Sequence, residues 1–114
     1  DSGPYLQYAL VRAVKILTYE SENAGGAEEP SEPYAIERLI IHYPEVAARA
    51  AHLLAPNILV TYLTELAGDG NSFYAAHQVL GSPEEAYKQR VTRAFANTMA
   101  NGLRLLGIPA PERM

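Results

Sequence analysis

Apolar residues recur at three- and four-residue steps along most of this chain, and no segment alternates with period two. From Pro4 to about Tyr19, Leu6, Ala9, Leu10, Ala13, Ile16 and Leu17 fall on one stripe, which predicts an amphipathic helix. Pro4 suits its first position, with Ser2 or Gly3 as the cap. Ser21 to Pro33, SENAGGAEEPSEP, reads as a surface connection with little to bury. Tyr34 to about Tyr43 predicts a short helix with Ile36, Leu39, Ile40 and Tyr43 inward. Pro44 ends it and opens a third helix to about Ala55, and Pro56 opens a fourth carrying Ile58, Leu59, Tyr62, Leu63 and Leu66. In Ala67-Gly-Asp-Gly-Asn71 two glycines cost about 1 kcal/mol each relative to alanine, so a kink or break is expected there. The helix should resume at Ser72 and run to about Leu80. Gly81-Ser-Pro-Glu-Glu85 reads as a helix start, with Ser82 as cap, Pro83 in the first turn and Glu85 closing a capping box. The last helix should reach about Leu106 and end at Gly107 in a left-handed cap, with Pro109 and Pro111 preventing resumption. The expected class is all-α: a compact helical bundle of about five helices with mostly antiparallel neighbours.

Composition narrows what such a bundle does. A chain of 114 residues, 48% of them apolar, makes one domain with a single core, residues 1–114. It begins at Asp1 without Met, which reads as a piece of a longer protein. No apolar run is long enough to span a bilayer, no signal peptide is visible, and the absence of cysteine suits a reducing cytoplasm. The formal charge of −4 disfavours a nucleic-acid partner at first sight. However, six of the thirteen acids lie between Glu20 and Glu37. Outside the acids of that stretch, nine Lys and Arg face seven acids, a balance of +2 that permits an RNA partner without demanding one.

No catalytic constellation is apparent. His42, His52 and His77 sit in separate helices, no metal-ligand pair has the required spacing, and no phosphate-binding glycine loop is present. No catalytic residue, metal site or cofactor is expected in this stretch. Three features suit binding. Tyr5, Tyr8 and Arg12, spaced i, i+3, i+7, share one helical face, where two phenols and a planar cation can pack on neighbours or meet single-stranded bases. Phe73 and Tyr74 point about 100° apart, one toward the core and one outward, with His77 and Gln78 a turn later beside Tyr74. Lys88, Arg90 and Arg93 can contact phosphates, although a solvated charged face is the commoner role for such a run.

Three ordered stretches carry a resemblance. GPYLQYALVR, Gly3 to Arg12, resembles the G-P-Y-[LM]-Q-Y-A-x-x-R motif of the arginyl-tRNA synthetases, in their C-terminal anticodon-binding (DALR) domain. YLTELAGDGNSFY, Tyr62 to Tyr74, is similar to Y-L-x-x-L-A-x-x-F-N-x-F-Y, and NGLRLLGIPAPERM, Asn101 to Met114, to N-G-L-x-L-L-G-[IL]-x-x-x-E-R-M. Gly70 stands where the family usually has Phe. The resemblance implies a monomeric cytoplasmic module that docks the anticodon loop of arginine tRNA, with no DNA or membrane partner. It implies anticodon contacts at Tyr5, Tyr8, Arg12, Tyr74, Gln78 and Met114, with Gln7 inside the same motif as a weaker candidate; His77 is a weaker candidate from its spacing beside Tyr74. It also implies an arginine–tRNA ligase whose catalytic domain, using ATP and Mg, precedes Asp1 in the same chain. The acidic loop should lie away from the RNA. A stand-alone helical domain with an apolar protein partner, or the related domain of a cysteinyl or glycyl synthetase, are the competing readings.

Overall fold

A computed structural model describes residues 2–19 and 25–110. Among these residues the chain forms five α-helices and no strand: α1 (Ser2–Thr18), α2 (Ala35–Ile40), α3 (Tyr43–His52), α4 (Pro56–Ala76) and α5 (Glu85–Leu105). The periodic apolar stripes become the core. Leu6, Leu63, Leu66, Phe95, Met99 and Leu103 are sealed from solvent where α1, α4 and α5 meet, and α2 and α3 pack on α4. Burying side chains of this size contributes about 1.5–3 kcal/mol each before the cost of ordering the chain.

α4 does not break at Gly68-Asp69-Gly70; it is one helix of 21 residues. The reason is packing. A Cβ on Gly70 would stand 2.7 Å from Cζ of Phe95, so the glycine leaves the space that the Phe95 ring fills. Seven residues further along α5, a Cβ on Gly102 would meet Leu63 at 2.6 Å, and Leu63 lies seven residues before Gly70. Two large side chains thus enter two glycine gaps about two turns apart, fixing α4 and α5 antiparallel at close range. Burial of Phe95 and Leu63 outweighs the poor helix propensity of the glycines.

Other boundaries shift for local reasons. α2 is shorter than expected, because the chain turns at Ile41 and His42 and starts α3 at Tyr43. α4 stops at Ala76, and His77 is extended with φ −132° and ψ 123°. α3 and α5 end alike. Ala55 N–H reaches the Ala50 carbonyl and Leu54 N–H that of Ala51; Ile108 N–H reaches Leu103 and Gly107 N–H reaches Arg104. Both are Schellman closures, made at φ +72° by Gly107 and at φ +51° by Leu54.

The start of α5 is built differently from a capping box. The Ser82 hydroxyl is buried and donates to the Val79 carbonyl, while the Glu85 carboxylate accepts from the Gly81 N–H. The loop supplies the remaining partners: Gly26 N–H donates to Ser82 at 2.8 Å, Glu28 N–H to Pro83 at 3.0 Å, and the Gly26 carbonyl accepts from Ala86 at 3.2 Å. A Cβ on Gly26 would lie 2.1 Å from the Pro83 carbonyl oxygen. The Gly-Gly pair is therefore a docking point for backbone against backbone, not a loose tether.

Candidate functional site

α1 lays its polar face along the outside of the core, and α4 runs beside it. Tyr8 is 59% exposed and Tyr5 41%, so of the two roles their spacing left open the α1 phenols stand in solvent and do not pack into the core. Arg12, one turn after Tyr8, turns toward α4. Its Nη1 donates to Asn71 Oδ1 at 3.4 Å, and Asn71 Nδ2 donates to the Tyr5 hydroxyl at 3.4 Å. Asn71 thus ties both ends of the α1 face to α4, a role its sequence position did not signal. Both bonds are long, and among the described residues no carboxylate pairs with Arg12.

The Arg12 guanidinium lies 5.0 Å from the centre of the Tyr74 ring. Tyr74 differs from the expected outward platform. It is half-buried, stands edge-on to Phe73 and Phe95, and its hydroxyl finds no hydrogen-bond partner among the described residues. The neighbouring Thr92 hydroxyl donates instead to the Lys88 carbonyl at 2.8 Å. Burial pushes the Tyr74 phenol up to about 12, with the Arg12 charge opposing the shift. One face of this ring already belongs to Arg12.

Beside this pair opens a cleft of about 340 Å³, lined by Arg12, Ile16, Tyr74, His77, Gln78, Val79 and Leu80. Four residues singled out in the sequence meet here: Arg12, Tyr74, His77 and Gln78. His77 and Gln78 do not reach it by helical spacing, because α4 has already ended. The extended segment after Ala76 brings them round. The His77 ring packs on Tyr34 at 4.7 Å and Phe73 at 5.2 Å, which fixes one wall, while Gln78 is exposed and its Nε2 donates to the Leu80 carbonyl at 2.8 Å.

The basic trio of α5 does not form one patch. Lys88 is 4% exposed; its Nζ donates to the Gln78 carbonyl at 3.0 Å and pairs with Glu84 at 3.3 Å. Its expected phosphate contact is therefore corrected: the ammonium faces the protein. Arg90 stacks on Tyr87 at 5.5 Å, on the edge toward α2, and Arg93 is exposed on the outer face. Tyr87 in turn donates to Glu37 at 2.7 Å, and that bond, then burial and the Glu37 charge, raise its phenol. Glu29 adds to that shift; among the described residues, none of the acidic loop lines the cleft.

Gln7 donates to the Pro109 carbonyl at 3.0 Å and so holds the C-terminal segment against α1 near Tyr8. Met114 lies outside the described residues.

Three comparisons bear on this arrangement. The family model described as the DALR anticodon binding domain matches residues 6–114. An arginine–tRNA ligase of Ignicoccus hospitalis is 39% identical, covering 100% of this chain and 19% of its own length. That of Thermus thermophilus is 37% identical, covering 100% of this chain and 21% of itself. A solved structure of Thermus thermophilus arginyl-tRNA synthetase superposes with a TM-score of 0.86 at 33% identity, over 98% of this chain and 21% of that one. The chain spans about a fifth of the length of the relatives it matches.

Proposed function

Since this chain belongs to the DALR anticodon binding domain family, we propose that it binds the anticodon loop of arginine tRNA through the α1 face and the cleft beside it. The observation that carries this reading is the juxtaposition of exposed Tyr8, Arg12 lying over Tyr74, and the cleft those last two share with His77 and Gln78. Unpaired bases need flat partners, and the Tyr8 and Tyr5 rings offer them at the surface, worth about 1–3 kcal/mol per stacked base. Tyr74 serves differently: it is the floor on which Arg12 rests. Arg12 then presents its remaining donors to base edges or phosphate, and Gln78 lines the same cleft. Met114 is proposed as a further contact, and Arg93 as a phosphate contact at the periphery.

In this reading the chain is one module of a longer arginine–tRNA ligase, and ATP-dependent arginylation with Mg belongs to the part of that protein outside these residues. Leu54 and Leu105, 88% and 64% exposed, line a groove of about 310 Å³ between α3, α4 and the end of α5. That apolar surface suits packing against the rest of the same chain. Among the described residues no helix is long and apolar enough to cross a membrane, and a cytoplasmic setting is the one this function requires.

Titration of the chain with a stem–loop RNA bearing an arginine anticodon tests the reading. Saturable binding that falls steeply with added salt and weakens when the anticodon is replaced supports it. Equal binding of an unrelated stem–loop contradicts it.

A further inference from the structure

Lys88 is a charged side chain placed where charge is costly, and it has two partners on different elements. Glu84 lies one turn earlier on the approach to α5, and the Gln78 carbonyl belongs to the extended segment that forms the cleft rim. Between α4 and α5 that segment has no helical hydrogen bonds of its own. Its two ends are fixed: His77 N–H donates to the Phe73 carbonyl, Val79 is buried, and Gly81 to Pro83 are held by Glu85, Gly26 and Glu28; at Gln78 itself the side chain closes on Leu80 and Lys88 Nζ grips the carbonyl. Of these, the ammonium is the one that anchors Gln78 to a long helix seated in the core. An apolar residue would fill the same volume of α5 without the desolvation penalty; what the ammonium adds is its hold on the Gln78 carbonyl and on Glu84.

We propose that Lys88 is a positioning residue for RNA recognition: it never touches the nucleic acid, and acts by fixing the Gln78 backbone so that the Gln78 amide and the His77 ring keep the cleft open beside Arg12. This rests on the functional reading above. It differs from a phosphate contact in a way that can be measured, because a group that neutralises no phosphate releases no counterion from the RNA.

The experiment compares the chain with Lys88→Met, using the arginine-anticodon stem–loop over a series of salt concentrations, and follows amide hydrogen exchange in parallel. The expected result is an affinity loss of about tenfold, the scale of one charge-assisted hydrogen bond removed from the frame of a site. The slope of log affinity against log salt should be unchanged, and exchange should accelerate at Gln78 to Leu80 while α1 and the middle of α5 keep their protection. In the Gln78→Ala background Lys88→Met should cost much less, since the two act as one unit. If Lys88→Met does not fold, Glu84→Gln replaces it, leaving the ammonium with neutral acceptors only; a loss of about threefold at constant slope is expected on the same scale. A salt slope shallower by about one phosphate contact overturns the proposal in favour of direct contact. Unchanged affinity in a folded variant, or full additivity with Gln78→Ala, also overturns it. If the unaltered chain fails to bind the stem–loop, the functional reading falls and this inference with it; binding that Lys88→Met leaves intact removes the inference alone.

Discussion

The Arg12 guanidinium lies over the Tyr74 ring at 5.0 Å, and the Tyr74 hydroxyl beneath it is buried without a hydrogen-bond partner among the described residues. The ring therefore matters to the site and the hydroxyl does not matter to the fold. Tyr74→Phe removes an unsatisfied polar atom while keeping the surface under Arg12. Thermal or urea unfolding should show equal or greater stability, by up to about 1 kcal/mol, with RNA binding retained. Tyr74→Ala takes away the floor and should lower both, with the 2–5 kcal/mol stability cost usual for a large buried side chain as an upper bound.

The same phenol gives the chain an alkaline limit. Tyr74 and Tyr62 are both pushed up by burial, from the ordinary 10.0 to about 12. The unfolded phenols ionise first, so between about pH 10 and about pH 12 the unfolded state holds fewer protons than the native one. Stability contributed by these groups is fully present below about pH 10 and is lost as pH rises through about 12. Urea midpoints measured across that window should fall with rising pH, and Tyr74→Phe should flatten the fall.

Gly68 and Gly70 look alike in sequence and should respond in opposite directions to alanine. A Cβ on Gly68 meets no atom closer than the Tyr5 hydroxyl at 4.0 Å, so Gly68→Ala should gain up to about 1 kcal/mol of helix propensity. A Cβ on Gly70 would enter the Phe95 ring, and overpacking there should cost about 1–3 kcal/mol net. Denaturant unfolding of the two variants checks both signs.

Leu54 closes α3 at φ +51° with its side chain 88% exposed. A left-handed residue with a Cβ is strained by about 1–2 kcal/mol, and the exposed side chain returns little. Leu54→Gly should therefore raise the stability of the isolated chain by about 0.5–1 kcal/mol, less the entropy that glycine loses on folding. If the Leu54 groove packs against the rest of a longer chain, the same substitution should weaken that contact.

Stripes and stops were readable in the sequence wherever one residue decides the outcome. Pro44 and Pro56 open helices within a residue of their positions, Gly107 closes α5, and the α1 stripe is buried at Leu6, Ala9, Leu10 and Ala13 and half-buried at Ile16 and Leu17. What escaped depends on a partner distant in the chain. The continuity of α4 through Gly70 is decided by Phe95, 25 residues later. The burial of Lys88 is decided by the Gln78 carbonyl, and that of Tyr74 by Phe95 and Arg12. Asn71 connects Tyr5 to Arg12 only once α1 lies beside α4. The site was legible as a set of residue types on one face of α1; which ring is a platform and which a floor was not.

The most direct measurement of the central claim is the affinity of Tyr8→Ala for the arginine-anticodon stem–loop, beside its unfolding midpoint. Tyr8 is exposed, so its removal should leave stability within about 0.5 kcal/mol. Binding should weaken by about 1–3 kcal/mol, roughly five- to more than a hundredfold. A folded Tyr8→Ala chain that binds the RNA as tightly as the original would contradict the account.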